Sequence, residues 1–224
     1  MASPHQEPAE LDQIYSRRFD AHVAYRREVW KVLTSKFFSR YVEPHFAVLD
    51  LGCGYGEFIN NIQCTKKYAM DLNARALQFL SSDVCFLQQD CAEPWNLPGE
   101  SLDLVFTSNF FEHLPSRASL AETLKQAKHC LRPGGRIIAM GPNIRHVGGA
   151  YWDFSDHHIA LTDRSLKEAL EIQGFEAERS IDRFLPYTMV NRRRYPQVFV
   201  ALYINFPLAW KIMGKQFLII ARKA

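Results

Sequence analysis

An α/β fold with a seven-stranded, mostly parallel sheet and helices on both faces is what this 224-residue sequence predicts, on three observations. Short apolar runs ending in Gly, Asp or Asn recur from Phe46 onward. Segments with helical spacing separate them, the pattern of parallel strands joined by crossover helices. The composition, 47% apolar and 23% charged residues, is that of a folded protein with enough chain to bury a core without disulfides.

In chain order, residues 1–44 form an N-terminal helical segment, 45–183 the core, 184–214 an insertion and 215–224 the last strand of a single domain. Residues 11–42 carry Val29, Val32, Leu33, Phe37 and Tyr41 at helical spacing, for one or two amphipathic helices that Pro44 stops. FAVLDLG reads as a strand buried on both faces, GEFINNIQ as a helix and KYAMDLN as a second strand. ARALQFL is helical, DVCFLQQD the third strand and SLDLVFTSN the fourth. A helix over 117–131 follows, then RPGG turns the chain into GRIIAMGPN, the fifth strand. TDRSLKEALEIQ opens on a cap signal, Thr162 or Asp163, and Gly174 closes that helix. FEAERSIDRF and KQFLIIARK supply strands six and seven, with the aromatic insertion between them.

The strongest chemical signal is VLDLGCGYGEF, residues 48–58, where Gly52, Gly54 and Gly56 form a G-x-G-x-G turn directly between a strand and a helix. Glycine permits positive φ there and lets a ligand approach the backbone. The spacing is not the dinucleotide-binding G-x-G-x-x-G, and Asp50 before the loop would repel a pyrophosphate but suits an ammonium group. Asp71 ends the second strand, where an acid can accept from both hydroxyls of a ribose, with Leu72 placed to flank an adenine. Asp90, beside Cys91 after the third strand, can accept from an exocyclic amine.

VLDLGCGYGEF, YAMDLN, QQDCAEP, SLDLVFTSNFFEHL and LRPGGRIIAMGPN resemble, in that order, the motifs of class I S-adenosylmethionine-dependent methyltransferases of the type 11-like group. The resemblance covers residues 46–143 and implies a Rossmann-like domain with S-adenosylmethionine as cofactor. It implies that Gly52 and Gly54, with Cys53 between them, approach the methionine portion, and that Asp50 sits near the sulfonium and amino groups. It further implies that Asp71 holds the ribose, that Asp90 and Cys91 contact adenine, and that Asn109 and Phe110 line the methionine end. IYSRRFDAHVAYRREVW resembles the helical lids of such enzymes, with Tyr15 and Arg18 as cofactor contacts; an ordinary amphipathic helix is the other reading.

Two clusters offer a base for an oxygen acceptor. One is Glu112-His113 after the fourth strand, where histidine often has a packing role in this family. The other is GGAYWDFSDHHIALTDRSL, with Tyr151, Trp152 and Asp153 and the catalytic candidates Asp156, His157 and His158. D-H-H evokes a metal, but no second cluster has matching spacing, so no metal is expected. The five cysteines form no C-x-x-C pair and read as buried thiols in a reducing compartment.

Residues 185–214 set Tyr203, Phe206, Leu208, Trp210 and Ile212 behind Arg192, Arg193 and Arg194. This pattern suits a cover over the chain's own sheet, a face for a second copy in a homodimer, or a peripheral membrane contact. A formal charge of +3 is too weak to imply nucleic acid. N-F-F-E in place of N-P-P-Y argues against methylation of adenine or glutamine amines, leaving a small-molecule, glycan or lipid-linked hydroxyl as the acceptor. The polar start and the lack of a spanning apolar run predict a cytoplasmic protein, at most peripheral at a membrane. The alternatives are a regulatory protein that binds S-adenosylmethionine or S-adenosylhomocysteine without turnover and, against the loop spacing, a nicotinamide oxidoreductase.

Overall fold

A computed structural model describes residues 23–187 and 194–224. Seven strands make one sheet: β1 (Ala47–Leu51), β2 (Lys66–Asp71), β3 (Val84–Gln88), β4 (Leu102–Ser108), β5 (Leu131–Pro142), β6 (Phe175–Ile181) and β7 (Gln216–Lys223). Their order is β3-β2-β1-β4-β5-β7-β6. β1 to β5 pair in parallel, and β7 runs antiparallel between β5 and β6. The sequence steps outward on one side from β1 to β3 and on the other side from β4, so the carboxyl ends of β1 and β4 flank the topological switch point.

Alternation along the central strands divides the core into two layers. Leu49, Leu51, Val105, Ile137 and Ile219 meet Leu120 and Leu124 of α2 (Arg117–Cys130) and Leu166 and Leu170 of α4 (Asp163–Ile172). Between these helices comes the single turn α3 (Ile144–Val147). On the other face Val48, Leu104, Phe106, Ile138, Leu218 and Ile220 meet Leu33 of α1 (Val23–Lys36), then Phe37, Phe38 and Phe184. The insertion contributes α5 (Gln197–Ile204) and α6 (Pro207–Met213), whose Ile204 and Trp210 are buried in this second layer. Phe37 and Trp210 approach at 6.0 Å, and Phe184 and Trp210 at 5.1 Å, both edge to face.

Three local expectations change. GEFINNIQ forms successive turns, not a helix, because Asn60 and Asn61 spend their amides on Phe79 and Glu57 carbonyls. ARALQFL becomes a 3₁₀ segment (Ala74–Phe79) started by the Asn73 side chain on the Arg75 N–H. RPGG lies within β5, where the pairing with β4 shifts register between Leu102 and Leu104. The cap on α4 is Thr162, which exchanges hydrogen bonds with Ser165. Among the described residues, no helix is long and apolar enough to cross a membrane.

Candidate active site

A cavity of about 1010 Å³ opens at the carboxyl ends of β1 and β4, under α1 and the insertion. This is at the upper end of the roughly 300–1,000 Å³ of small-molecule sites and leaves room for two reactants. Asp50, Gly52, Cys53, Gly54, Asn109, His113 and His157 all line it.

At one end stands the glycine loop. Gly52 and Gly54 have φ of +67° and +54°, and a Cβ on Gly52 would lie 2.2 Å from the Phe110 ring. Phe110 therefore packs onto the loop and does not line the cavity as expected; only a glycine leaves it that space. Asn109 turns at φ +51°, with its N–H on the Met140 carbonyl at 2.8 Å. The Asp50 carboxylate accepts from the Ile59 N–H at 3.3 Å and is almost fully buried. Burial, and then the nearby Glu57 and Asp71 charges, raise its pKa well above the usual carboxylate range, against the Ile59 hydrogen bond. Acids gathered around the glycine loop favour a cationic group beside them, and Arg26 already meets one of them, Glu57.

Asp71 accepts from the Gly54 N–H at 2.9 Å and the Asn73 N–H at 2.9 Å, so it shapes the loop from the neighbouring strand. It does not line the cavity, and neither do Leu72, Asp90 and Cys91, which follow along the carboxyl ends of β2 and β3. Leu72 is exposed, and Asp90 accepts from the Ala92 N–H at 2.8 Å. The Cys91 thiol lies in the first core layer 3.3 Å from the Thr123 hydroxyl, and burial pushes its pKa up to about 12. The Cys91 side chain therefore packs toward the core.

The other end holds the titratable groups. His113, in the 3₁₀ turn Phe111–His113, places Nδ1 3.0 Å from the Asp156 carbonyl and 3.1 Å from its carboxylate. Its Nε2 is 4.0 Å from Glu112 Oε1. Burial works against the charged imidazole, yet the Asp156 hydrogen bond and the Glu112 and Asp156 charges together raise the His113 pKa. His157 is buried with its ring 4.9 Å from that of His113. His158 is exposed and is not among the residues lining the cavity. Asp156 stands behind His113 and not on the cavity wall. Tyr151 is a fully buried peg whose hydroxyl donates to the Ile159 carbonyl, while Trp152 and Asp153 face outward.

Over the opening, Tyr25, Arg26, Val29 and Trp30 of α1 line the cavity. Arg26 Nη2 reaches Glu57 Oε1 at 2.9 Å, tying α1 to the glycine loop. Neither residue is marked by its sequence neighbours, although Glu57 adjoins Gly56. Tyr15, Arg18, Arg192 and Arg193 lie outside the described residues. Tyr195, Phe199, Leu202 and Phe206 of the insertion complete the wall.

A family model described as a methyltransferase domain matches residues 22–180, well over half of the chain. The search of curated proteins found no match. Similar solved structures include a chain of the Haloferax volcanii complex between the Trm112 methyltransferase activator and a methyltransferase, with TM-score 0.69 and 16% identity over 97% of each chain. An S-adenosylmethionine-dependent methyltransferase of Archaeoglobus fulgidus matches at TM-score 0.63 and 23% identity, over 91% of this chain and 98% of that one. One from Thermotoga maritima matches at TM-score 0.67 and 17% identity over 97% of each chain. These identities speak for a shared fold, and the family match goes further. With its seven-stranded Rossmann-like sheet and a glycine loop at the switch point, the chain belongs to the methyltransferase-domain family.

Proposed function

We propose that the chain binds S-adenosylmethionine against the glycine loop and transfers its methyl group to a hydroxyl of a lipid-linked or similarly amphiphilic acceptor. The carrying observation is a single cavity that joins the buried acids of the loop to the His113–Asp156 pair and is walled by the apolar insertion. The cofactor supplies an electrophilic methyl on a sulfonium. Asp50, with Glu57 and Asp71 near it, offers the negative potential that such a cation needs, and Gly52 and Gly54 leave the backbone open to it.

The rest of the work is positioning and water exclusion. Asp71 sets the loop through the Gly54 N–H, and its place at the end of β2 suits the ribose. Leu72 and Asp90, next along the strand ends, suit the adenine. Asp156 fixes the His113 ring so that Nε2 can take the acceptor's proton as the new C–O bond forms. α1, held by Arg26 on Glu57, closes the opening over the loop.

The acceptor class rests on the insertion. Phe199, Leu202, Phe206 and Met213 line the cavity and are also exposed, and Val198 of α5 and Leu208 and Ile212 of α6 are exposed as well. An apolar rim of this kind favours an acyl or polyprenyl chain entering from a membrane surface, with Arg194, Lys211 and Lys215 near the anionic headgroups. The test uses methyl-labelled S-adenosylmethionine with a lipid extract and, separately, with a water-soluble metabolite fraction. Label should enter the organic phase, and Leu202→Glu should cut that transfer at least about tenfold while S-adenosylhomocysteine binding stays unchanged. Label found only in the aqueous fraction would overturn the lipid acceptor.

A further inference from the structure

Three metal-ligating side chains meet at the acceptor end of the cavity. Glu112 and His113 come from the turn after β4, and His157 from the loop that follows β5 and α3. Each offers one ligand atom, and these atoms lie within 4.8 Å of one another. Ligands sharing one ion at about 2.0–2.2 Å stand roughly 3–4 Å apart, so the set has to draw together to hold one. Glu112 Oε1 and His113 Nε2 are already at 4.0 Å.

The surroundings orient these ligands. Asp156 occupies His113 Nδ1 through both its carbonyl and its carboxylate, which leaves Nε2 as the coordinating atom. A carboxylate behind a histidine ligand fixes its tautomer and makes it a better donor. The His158 and Ile159 N–H groups both donate to the Glu112 carbonyl, at 2.8 and 3.2 Å, and so lock the histidine loop against the turn carrying Glu112. On β5, Gly141 leaves room for the Glu112 carboxylate: a Cβ there would stand 3.3 Å from Oε2.

We infer that Glu112, His113 and His157 form a site for one divalent transition-metal ion whose remaining coordination positions face the cavity. Two imidazoles and one carboxylate are the donor set of open zinc and non-haem iron sites, which hold substrate oxygens in the free positions. The acceptor class that fits is a chelating one, a hydroxyl beside a second oxygen as in a diol, a catechol or a hydroxy acid. In the metal-bound form His113 Nε2 would be a ligand and the coordinated hydroxyl, its pKa lowered, would release its proton to solvent before methyl transfer; without the ion His113 stays the proton acceptor. The inference rests on the reading of this end of the cavity as the acceptor side.

The test is a calorimetric and optical titration of the chelator-treated full chain with Mn²⁺ and, separately, Co²⁺. His157→Ala and Glu112→Gln are compared with the wild type, with thermal melts to show that each variant is folded. S-adenosylhomocysteine is titrated in parallel. One ion per chain is expected, held at least about tenfold less tightly by each variant, with cobalt bands free of thiolate charge transfer. Wild-type protein that binds S-adenosylhomocysteine but no ion, or ion uptake unchanged in the folded variants, would overturn the site. Ion uptake without S-adenosylhomocysteine binding would uphold the site and refute the cofactor reading instead.

Discussion

Asp50 carries a conflict between stability and binding. Its buried carboxylate has a raised pKa, so the folded chain binds that proton more tightly than the unfolded chain does. The stabilisation linked to this proton is fully present below the unfolded carboxylate pKa of about 4 and is lost as pH rises through the higher folded value. At neutral pH burial of this acid is therefore a cost that a bound cation relieves. Asn can keep the acceptor for the Ile59 N–H without the charge. Asp50→Asn is expected to raise the melting temperature of the ligand-free protein at pH 7, with the gain shrinking toward pH 4, and to weaken S-adenosylmethionine binding about tenfold or more. Scanning calorimetry with and without ligand checks both halves. A variant that melts lower at pH 7 or binds as tightly as wild type contradicts this account.

At the scale of elements, strands were legible because burial on both faces of a parallel sheet writes an apolar run into the sequence, as AVLDL in β1 shows. The glycine loop was legible for a related reason: a turn at positive φ demands glycine wherever it occurs. Segments ruled by side-chain competition were not. Helical spacing in GEFINNIQ says nothing of Asn60 and Asn61 bonding to the backbone. Nor could local pattern show that Glu112-His113 would meet Asp156-His157, because that meeting depends on β4 and β5 lying side by side across 43 residues of sequence. The pairing of Arg26 with Glu57 is not legible in the sequence for the same reason, since the two meet only where α1 crosses the loop.

The insertion makes an element-level prediction. Trp210 is buried between Phe37 and Phe184, and its indole N–H donates to the Tyr203 carbonyl at 2.8 Å, so it pins α6 and α5 to the second core layer. Trp210→Ala should cost about 3–5 kcal/mol in chemical denaturation, the range for a large aromatic removed from a core. A loss below about 1 kcal/mol would mean that the insertion is stabilised from elsewhere.

Over the whole molecule, one sheet serves two purposes. Its first face is closed by α2 and α4 as a plain core. Its second face carries the aromatic layer of α1, α5 and α6, and the cavity lies where that layer meets the carboxyl ends of β1 and β4. The binding groups sit on rigid strand ends, while the covering helices present apolar side chains both inward and outward.

The central claim is tested most directly by calorimetric titration of the full chain with S-adenosylhomocysteine, using Asp71→Ala as the comparison. Asp71 holds the Gly54 and Asn73 N–H groups, and charge-assisted hydrogen bonds of this kind contribute roughly 1.5–3 kcal/mol. Micromolar-range binding by the wild type, weakened about tenfold or more in the variant, is the predicted result. A folded wild type that takes up no ligand, or a variant that binds as tightly as the wild type, would contradict the placement of the cofactor at this loop.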